Sequence, residues 1–290
     1  MEPAAEKERI NVIMAGGGVR FPAYVGALAA LEEMGVEILS VAGASAGSIV
    51  GSLLAAGRPV QDMHRLAVET DFTEFKDFSL RGILLEGGIY LGNSFERWMD
   101  KQMQGARFKD LPRNLFITAV DLIGREPFFF SKQTTPDVLV SKAVRCSMSI
   151  PWVWRAQRWD DRLLVDGQFM PWVPTGIEMM ETAHSGPPAR TVMLGMASTD
   201  ARHLPQKKHL WPWDFAKILL GTMLNALENQ RIPGTLWQDT ILIQVAGVHT
   251  LQLGLSVADK ERLYQMGYEQ AKRYFRKKAS EPAPPRAAAP

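Results

Sequence analysis

The sequence has one cysteine, Cys146, in 290 residues, so an intrachain disulfide is excluded and the chain suits a reducing compartment. Histidine is scarce too, with five residues and no Cys/His spacing of a zinc site, so neither a metal nor a cofactor is expected. Charge of one sign is also lacking. Lys and Arg number 33 against 31 Asp and Glu, which leaves +2 and no bulk field to attract nucleic acid. No basic-then-apolar leader opens the chain, because Glu2, Glu6, Lys7, Glu8 and Arg9 precede the first apolar run. A signal peptide is therefore not expected, and a cytoplasmic location is.

The composition that remains, 46% hydrophobic and 22% charged, is that of a folded protein with a sizeable core. One stretch, Ile38 to Gly57, is charge-free and long enough to cross a bilayer. It is broken by Gly43, Gly47, Gly51 and Gly57 and by four serines, and its apolar residues fall in two blocks. That pattern predicts a buried strand, a tight turn and a buried helix rather than a membrane span.

Hydrophobic periodicity places strands at Ile10–Ala15, Ile38–Ala42, Leu115–Val120, Pro127–Phe130, Leu163–Val165, Thr191–Met196 and Ile241–Val245. Helices are expected at Tyr24–Met34, Ala46–Ala56, Pro59–Thr70, Ser94–Met103, Pro136–Cys146, Asp214–Gln230 and Asp259–Lys278, the last opened by a Ser256/Asp259 capping box. The βαβα opening favours a parallel sheet. One domain is expected over 9–278, followed by a disordered Pro/Ala-rich tail over 279–290.

Three short elements carry chemistry. Gly43-Ala44-Ser45-Ala46-Gly47 is a G-x-S-x-G turn between a strand and a helix, where small flanks relieve a crowded backbone and the serine hydroxyl is presented at a helix N-terminus. Gly16-Gly17-Gly18-Val19-Arg20 ends the first strand with consecutive backbone N–H groups, an anion-binding arrangement. Phe21 occupies the sixth position of what would be a dinucleotide fingerprint, and no G-K-[ST] follows, so an oxyanion hole beside Ser45 is the better use of that loop. Asp166-Gly167 delivers a carboxylate at the end of the Leu163–Val165 strand. An acid and a histidine are the usual partners of such a serine, and Asp166 with His184, His203, His209 or His249 fills the order formally. Yet only one strand precedes the serine's own, and no histidine sits in a distinctive loop. Asp166 is then a candidate direct base.

These three elements, in this order, resemble the patatin-like phospholipases, serine acyl hydrolases with a Ser–Asp dyad. Lesser likenesses are Gly87-Gly88-Ile89-Tyr90, Thr118-Ala119-Val120-Asp121 with Gly124, and the run from Ala143 to Pro151. The resemblance spans about residues 10 to 275. It implies a three-layer α/β/α fold with a mostly parallel central sheet, Ser45 as nucleophile in an elbow bounded by Gly43 and Gly47, Asp166 as base, and oxyanion donors in the Gly16, Gly17, Gly18 turn with Arg20 fixing the loop. It implies a lipid acyl ester as substrate, with a triad esterase or thioesterase on soluble esters and an inactive lipid-binding module of the same fold as rival readings. Departures from the family pattern are Gln168 after Asp166-Gly167, Phe21 in the first loop, and Trp172 before Pro174.

Two clusters invite peripheral membrane contact. Trp152, Trp154, Trp159 and Trp172 bracket Asp166 with Arg155, Arg158 and Arg162 among them, and Trp211 and Trp213 open a later helix. Lys272, Arg273, Arg276, Lys277 and Lys278 crowd the end of the last helix. The plainer alternative is that the tryptophans pack and the cations face solvent or the helix C-terminus.

Overall fold

The computed structural model describes residues 8–184, 186, 189–198, 211–230 and 234–280. Alternation decides which face each strand residue takes, because successive side chains of a strand point to opposite sides. In the first strand, β1 (Arg9–Met14), Val12 and Met14 join the larger core cluster while Ile13 joins the smaller one. In β2 (Glu37–Ala44), Val41 goes to the larger cluster and Ala42 and Ala44 to the smaller. Both faces are thus covered, as parallel sheets require.

Between β1 and β2 lies α1 (Pro22–Glu33), whose proline stands at the first turn, where its missing N–H costs nothing. After β2 come α2 (Ala46–Ala55), α3 (Val60–Glu69), α4 (Leu80–Leu85), β3 (Gly88–Tyr90) and α5 (Asn93–Met103). The centre of the chain holds β4 (Asn114–Asp121), β5 (Glu126–Phe130), α6 (Val140–Ser147), β6 (Trp152–Trp154), β7 (Gln157–Trp159), β8 (Arg162–Asp166) and α7 (Val173–Thr182). The rest is β9 (Arg190–Ser198), α8 (Pro212–Gln230), β10 (Thr240–Val245) and α9 (Val257–Ser280).

The main sheet runs β10-β9-β1-β2-β4-β8-β7, with β5 also on β4. Neighbours from β10 to β4 are parallel, while β5, β8 and β7 are antiparallel. Helices cover both faces, giving a three-layer α/β/α fold with a mostly parallel sheet. The larger core cluster draws on residues from Ile10 to Phe275; the smaller lies on the opposite face around Phe116, Trp172 and Met180.

The charge-free stretch at Ile38–Gly57 folds as β2, a turn and α2, and among the described residues no helix is long and apolar enough to cross a membrane. Half of the expected capping box forms: Ser256 Oγ accepts from Asp259 N at 3.1 Å, but Asp259 Oδ2 takes the Ser256 hydroxyl at 2.7 Å in place of the Ser256 amide.

Other expectations are corrected. The helix predicted from Pro136 starts only at Val140, because the Pro136 and Val138 carbonyls accept from the Lys109 and Phe108 amides. Trp152, Trp154 and Trp159 lie in strands too short to show a period: β6 pairs with the distant β3, and β7 forms a tight hairpin with β8, Trp159 opposite Arg162. The helix α9 runs to Ser280, two residues into the expected tail, and 281–290 lie outside the described residues.

Candidate active site

Ser45 occupies the single residue between β2 and α2, at φ 50° and ψ −120°. A non-glycine residue with such a φ is strained, and the surroundings impose it. A Cβ on Gly43 would lie 2.6 Å from the Gly47 carbonyl oxygen, and one on Gly47 would lie 2.1 Å from the Met14 carbonyl oxygen. Only glycine lets β2, the turn and the end of β1 approach this closely. The Ser45 carbonyl accepts from Ser48 N at 2.9 Å and from Ser48 Oγ at 2.6 Å. The Ser45 amide donates to Ser147 Oγ at 2.9 Å, and that hydroxyl donates to the Thr118 carbonyl at 2.6 Å.

Register brings Asp166 to the same place. Along one edge of β4, Thr118 pairs with Ala44 of β2, and the next residue, Ala119, pairs with Asp166 of β8. The opposite edge of both residues is taken by β5. Since β2 runs parallel to β4 and β8 antiparallel, their C-terminal ends meet head to head. Asp166 N donates to the Ser149 carbonyl at 3.0 Å, and Asp166 Oδ1 accepts from Gln168 N at 2.8 Å. Ser45 and Asp166 are 5% and 1% exposed. They line one narrow crevice with Gly17, Gly18, Ile150, Gln168, Thr250, Leu224 and Leu227.

The glycine turn follows β1, the parallel neighbour of β2, so its loop stands beside the serine turn. Gly18 has φ +57° and a Cβ there would meet the Thr250 carbonyl oxygen at 2.0 Å. Gly17 and Gly18 reach the crevice, whereas Gly16 packs against the Gln168 side chain, 2.3 Å from where a Cβ would stand. Arg20 is not a crevice residue. It is buried, and its Nε donates to the Gly17 carbonyl at 3.0 Å, while the Tyr24 hydroxyl donates to the Gly16 carbonyl at 3.0 Å.

Sequence reasoning passed over the residues that hold the serine and aspartate turns together. The C-terminal turn of α6 supplies Ser147 to the Ser45 amide, and the next turn supplies Ser149 to the Asp166 amide. Beneath them Arg145, 1% exposed, donates from Nη1 to Ser149 Oγ at 2.6 Å and from Nη2 to the carbonyls of Leu91 and Arg155. Burial pulls its guanidinium down to about 10, which leaves it protonated at neutral pH. The one available signal was the Ala143–Pro151 run, quoted above only as a likeness.

Of the histidines, His184 bonds Ser40 Oγ at 2.7 Å, five residues up β2 from Ser45 and so roughly 16 Å away at strand rise. His64 bonds Glu261 at 2.8 Å and His249 is exposed; His203 and His209 lie outside the described residues. None of the described three lines the crevice. Among the described residues no group of three or more His, Cys, Asp or Glu could hold a metal ion. The three departures separate cleanly: Phe21 packs on Phe72 at 5.2 Å, Trp172 is buried in the smaller core cluster, and Gln168 alone faces the crevice.

The chain is 27% identical over 282 residues to the uncharacterized protein YqhO of Bacillus subtilis, covering 89% of this chain and 95% of that one. It is 29% identical over 175 residues to an uncharacterized protein of Acanthamoeba polyphaga mimivirus, covering 56% of this chain and 59% of that one. An uncharacterized NTE family protein of Mycobacterium tuberculosis is 28% identical over 166 residues, which span 57% of this chain and 44% of that protein. Among solved structures, VipD from Legionella pneumophila matches with a TM-score of 0.66 at 16% identity, over 93% of this chain and 67% of that one. The type III effector protein ExoU of Pseudomonas aeruginosa matches with 0.55 at 16% identity, over 94% and 54%. These two likenesses speak for the fold. The sequence profile described as patatin-like phospholipase matches residues 12–177, more than half of the chain and the whole stretch that carries the glycine turn, Ser45 and Asp166; the protein belongs to the patatin-like phospholipase family.

Proposed function

We propose that this protein is a lipid acyl hydrolase of phospholipase A or lysophospholipase type, with Ser45 as nucleophile and Asp166 as its base. The observation that carries the reading is the head-to-head meeting of β2 and β8 on one edge of β4, which puts both residues in one crevice. Ser45 Oγ attacks the ester carbonyl carbon as its proton passes to Asp166, and the carbonyl oxygen takes up the negative charge. Collapse breaks the ester bond, and Asp166 returns the proton to the departing alcohol oxygen. Water then repeats the sequence on the acyl-enzyme and frees the fatty acid. A carboxylate is a weak base near neutral pH, so most of the barrier must fall to preorganised donors. The amides of Gly17 and Gly18 and the N-terminus of α2 are the candidates, each hydrogen-bond donor being worth about 3 kcal/mol at such a site. Ile150, Leu224 and Leu227 supply apolar crevice wall for an acyl chain.

A fluorophosphonate probe should label Ser45, and released fatty acid should appear from phospholipid vesicles and from a short soluble ester. Ser45→Ala and Asp166→Asn should each lower kcat by roughly a thousandfold or more, and the double variant should be no worse than either, because the two act as one unit. Asp166→Asn keeps an oxygen for the Gln168 amide, so its melting temperature should hardly move. Wild-type turnover in Asp166→Asn sinks the dyad. A single histidine-to-alanine variant as inactive as Ser45→Ala would put a triad in its place, and a serine that never labels leaves a lipid-binding module.

A further inference from the structure

On the far side of the Ile150–Pro151 and Val165–Asp166 wall from the crevice lies a second and much larger groove, of about 720 Å³. Pro151 and Val165 line this groove, and their chain neighbours Ile150 and Asp166 line the crevice. Its rim is unusual for a surface facing only water. Leu85 is 77% exposed, Trp152 45% and Leu122 47%, and Ile123, next to Leu122, is 64% exposed. Leu122 and Ile123 stand in the β4–β5 turn, where polar residues are the rule.

That turn is built rigidly. Asp121 Oδ1 accepts from Ile123 N at 3.0 Å, and Leu122 N donates to the Leu163 carbonyl at 2.9 Å. Trp152 N likewise donates to the Gly87 carbonyl at 3.0 Å. The apolar side chains are thus held outward by the backbone. Arginines accompany them: Arg81, Arg155 and Arg158 line the groove against one acid, Glu86, which Arg81 already approaches at 3.5 Å and Arg155 at 3.2 Å. The groove therefore carries an excess of positive charge beside exposed leucine, isoleucine and tryptophan. Anionic headgroups over an apolar interior complement that pairing, since indole and aliphatic groups favour the bilayer interface and arginine favours its charge.

We propose that this groove and its rim are the face by which the protein docks on an anionic lipid bilayer, so that the bilayer meets the chain one wall away from Ser45. The choice of a bilayer over another polyanion rests on the acyl hydrolase reading above. Of the tryptophans named from the sequence Trp152 lines the groove; Trp154 and Trp172 are buried, Trp159 is half-buried, Trp211 is exposed just before α8 but does not line the groove, and the side chain of Trp213 is outside what the structure describes. The basic end of α9 is partly spent within the fold, Lys272 on Glu33 at 2.9 Å and Lys278 on Asp239 at 3.3 Å.

The test is sedimentation with vesicles of phosphatidylcholine alone or mixed with phosphatidylglycerol, using Ser45→Ala protein so that lipid is not consumed. Binding is expected to the anionic vesicles, weakened by added salt because exposed charges are screened. Arg81→Glu with Arg158→Glu should reduce partitioning by about 30-fold or more, and Leu85→Asp with Ile123→Asp by at least about 10-fold. All four positions are exposed, and in the Ser45 background each double variant should hydrolyse a soluble ester like wild type. No binding, or binding unchanged in both double variants, overturns the proposal. Loss in the arginine variant only, with Leu85→Asp/Ile123→Asp binding like the parent, overturns the bilayer in favour of an acidic macromolecule. Vesicle binding that follows the expected pattern in a protein that hydrolyses no ester supports the face and removes the hydrolase reading alone.

Discussion

Ser45 holds a left-handed conformation that costs a serine on the order of 1–3 kcal/mol, and its buried amide is satisfied by another residue's side chain. Ser147 is that partner, and its hydroxyl also serves the Thr118 carbonyl, so Ser147→Ala strands a donor and an acceptor together. The expected cost is about 1–3 kcal/mol of stability by denaturant unfolding, with a fall in kcat larger than any change in KM because the elbow loosens rather than the acyl pocket. An unaltered kcat would show that Gly43 and Gly47 alone set the turn. The neighbouring Cys146 behaves oppositely. Burial pushes its thiol from 9.0 up to about 12, so it is neutral and shielded rather than reactive. In the unfolded chain the thiol ionises first. Its contribution to stability is therefore full below pH 9 and is lost as pH rises toward 12, by at most about 1.4 kcal/mol per pH unit. Thermal unfolding of wild type and Cys146→Ala should run parallel from pH 6 to about 8.5 and converge above it, with wild type losing the more.

At the scale of elements, the packing of α9 on α1 turns on two glycines. A Cβ on Gly26 would stand 1.9 Å from the Tyr264 carbonyl oxygen, and one on Gly267 would stand 1.8 Å from that of Ala23. The helix backbones touch at this crossing, and no flexible side chain can give way. Gly267→Ala should destabilise by about 2–3 kcal/mol. Among the described residues nothing lies within 4 Å of the missing Cβ of Gly221, inside α8, and Gly221→Ala should stabilise by about 0.5–1 kcal/mol. Equal effects in chemical denaturation would mean that the α1–α9 contact is looser than the structure has it. Sequence periodicity treats these two glycines alike, as breaks in otherwise helical runs. The helices themselves were readable from their apolar spacing; which face of each helix meets a backbone was not.

For the molecule as a whole, chemistry collects at one edge of the sheet. Brought there together are the loops after β1 and β2, the end of β8, the turn after α6 and part of α8. In parallel α/β sheets ligands gather at the carboxyl ends of strands, and here an antiparallel strand joins from the opposite direction, which is how an aspartate 121 residues after the serine becomes its neighbour. The groove beyond the Ile150–Pro151 wall uses the same edge, so catalysis and docking would share one side of the molecule.

Strand, turn and helix around Ser45, the glycine loop before it and the aspartate at a strand end could all be read from local pattern, because each depends on backbone sterics within a few residues. So could the α/β class, through alternation of periods. Assembly depended on what is distant in sequence. The roles of Ser147, Ser149 and Arg145 arise from hydrogen bonds between chain segments, and β3 and β6 are too short to show a period and exist by pairing with each other. The four tryptophans around Asp166 looked alike in sequence. Their separation into Trp154 and Trp172 in the core, Trp159 between, and Trp152 on the surface followed from where each strand and helix packs, since burial is a property of neighbours and not of the residue type.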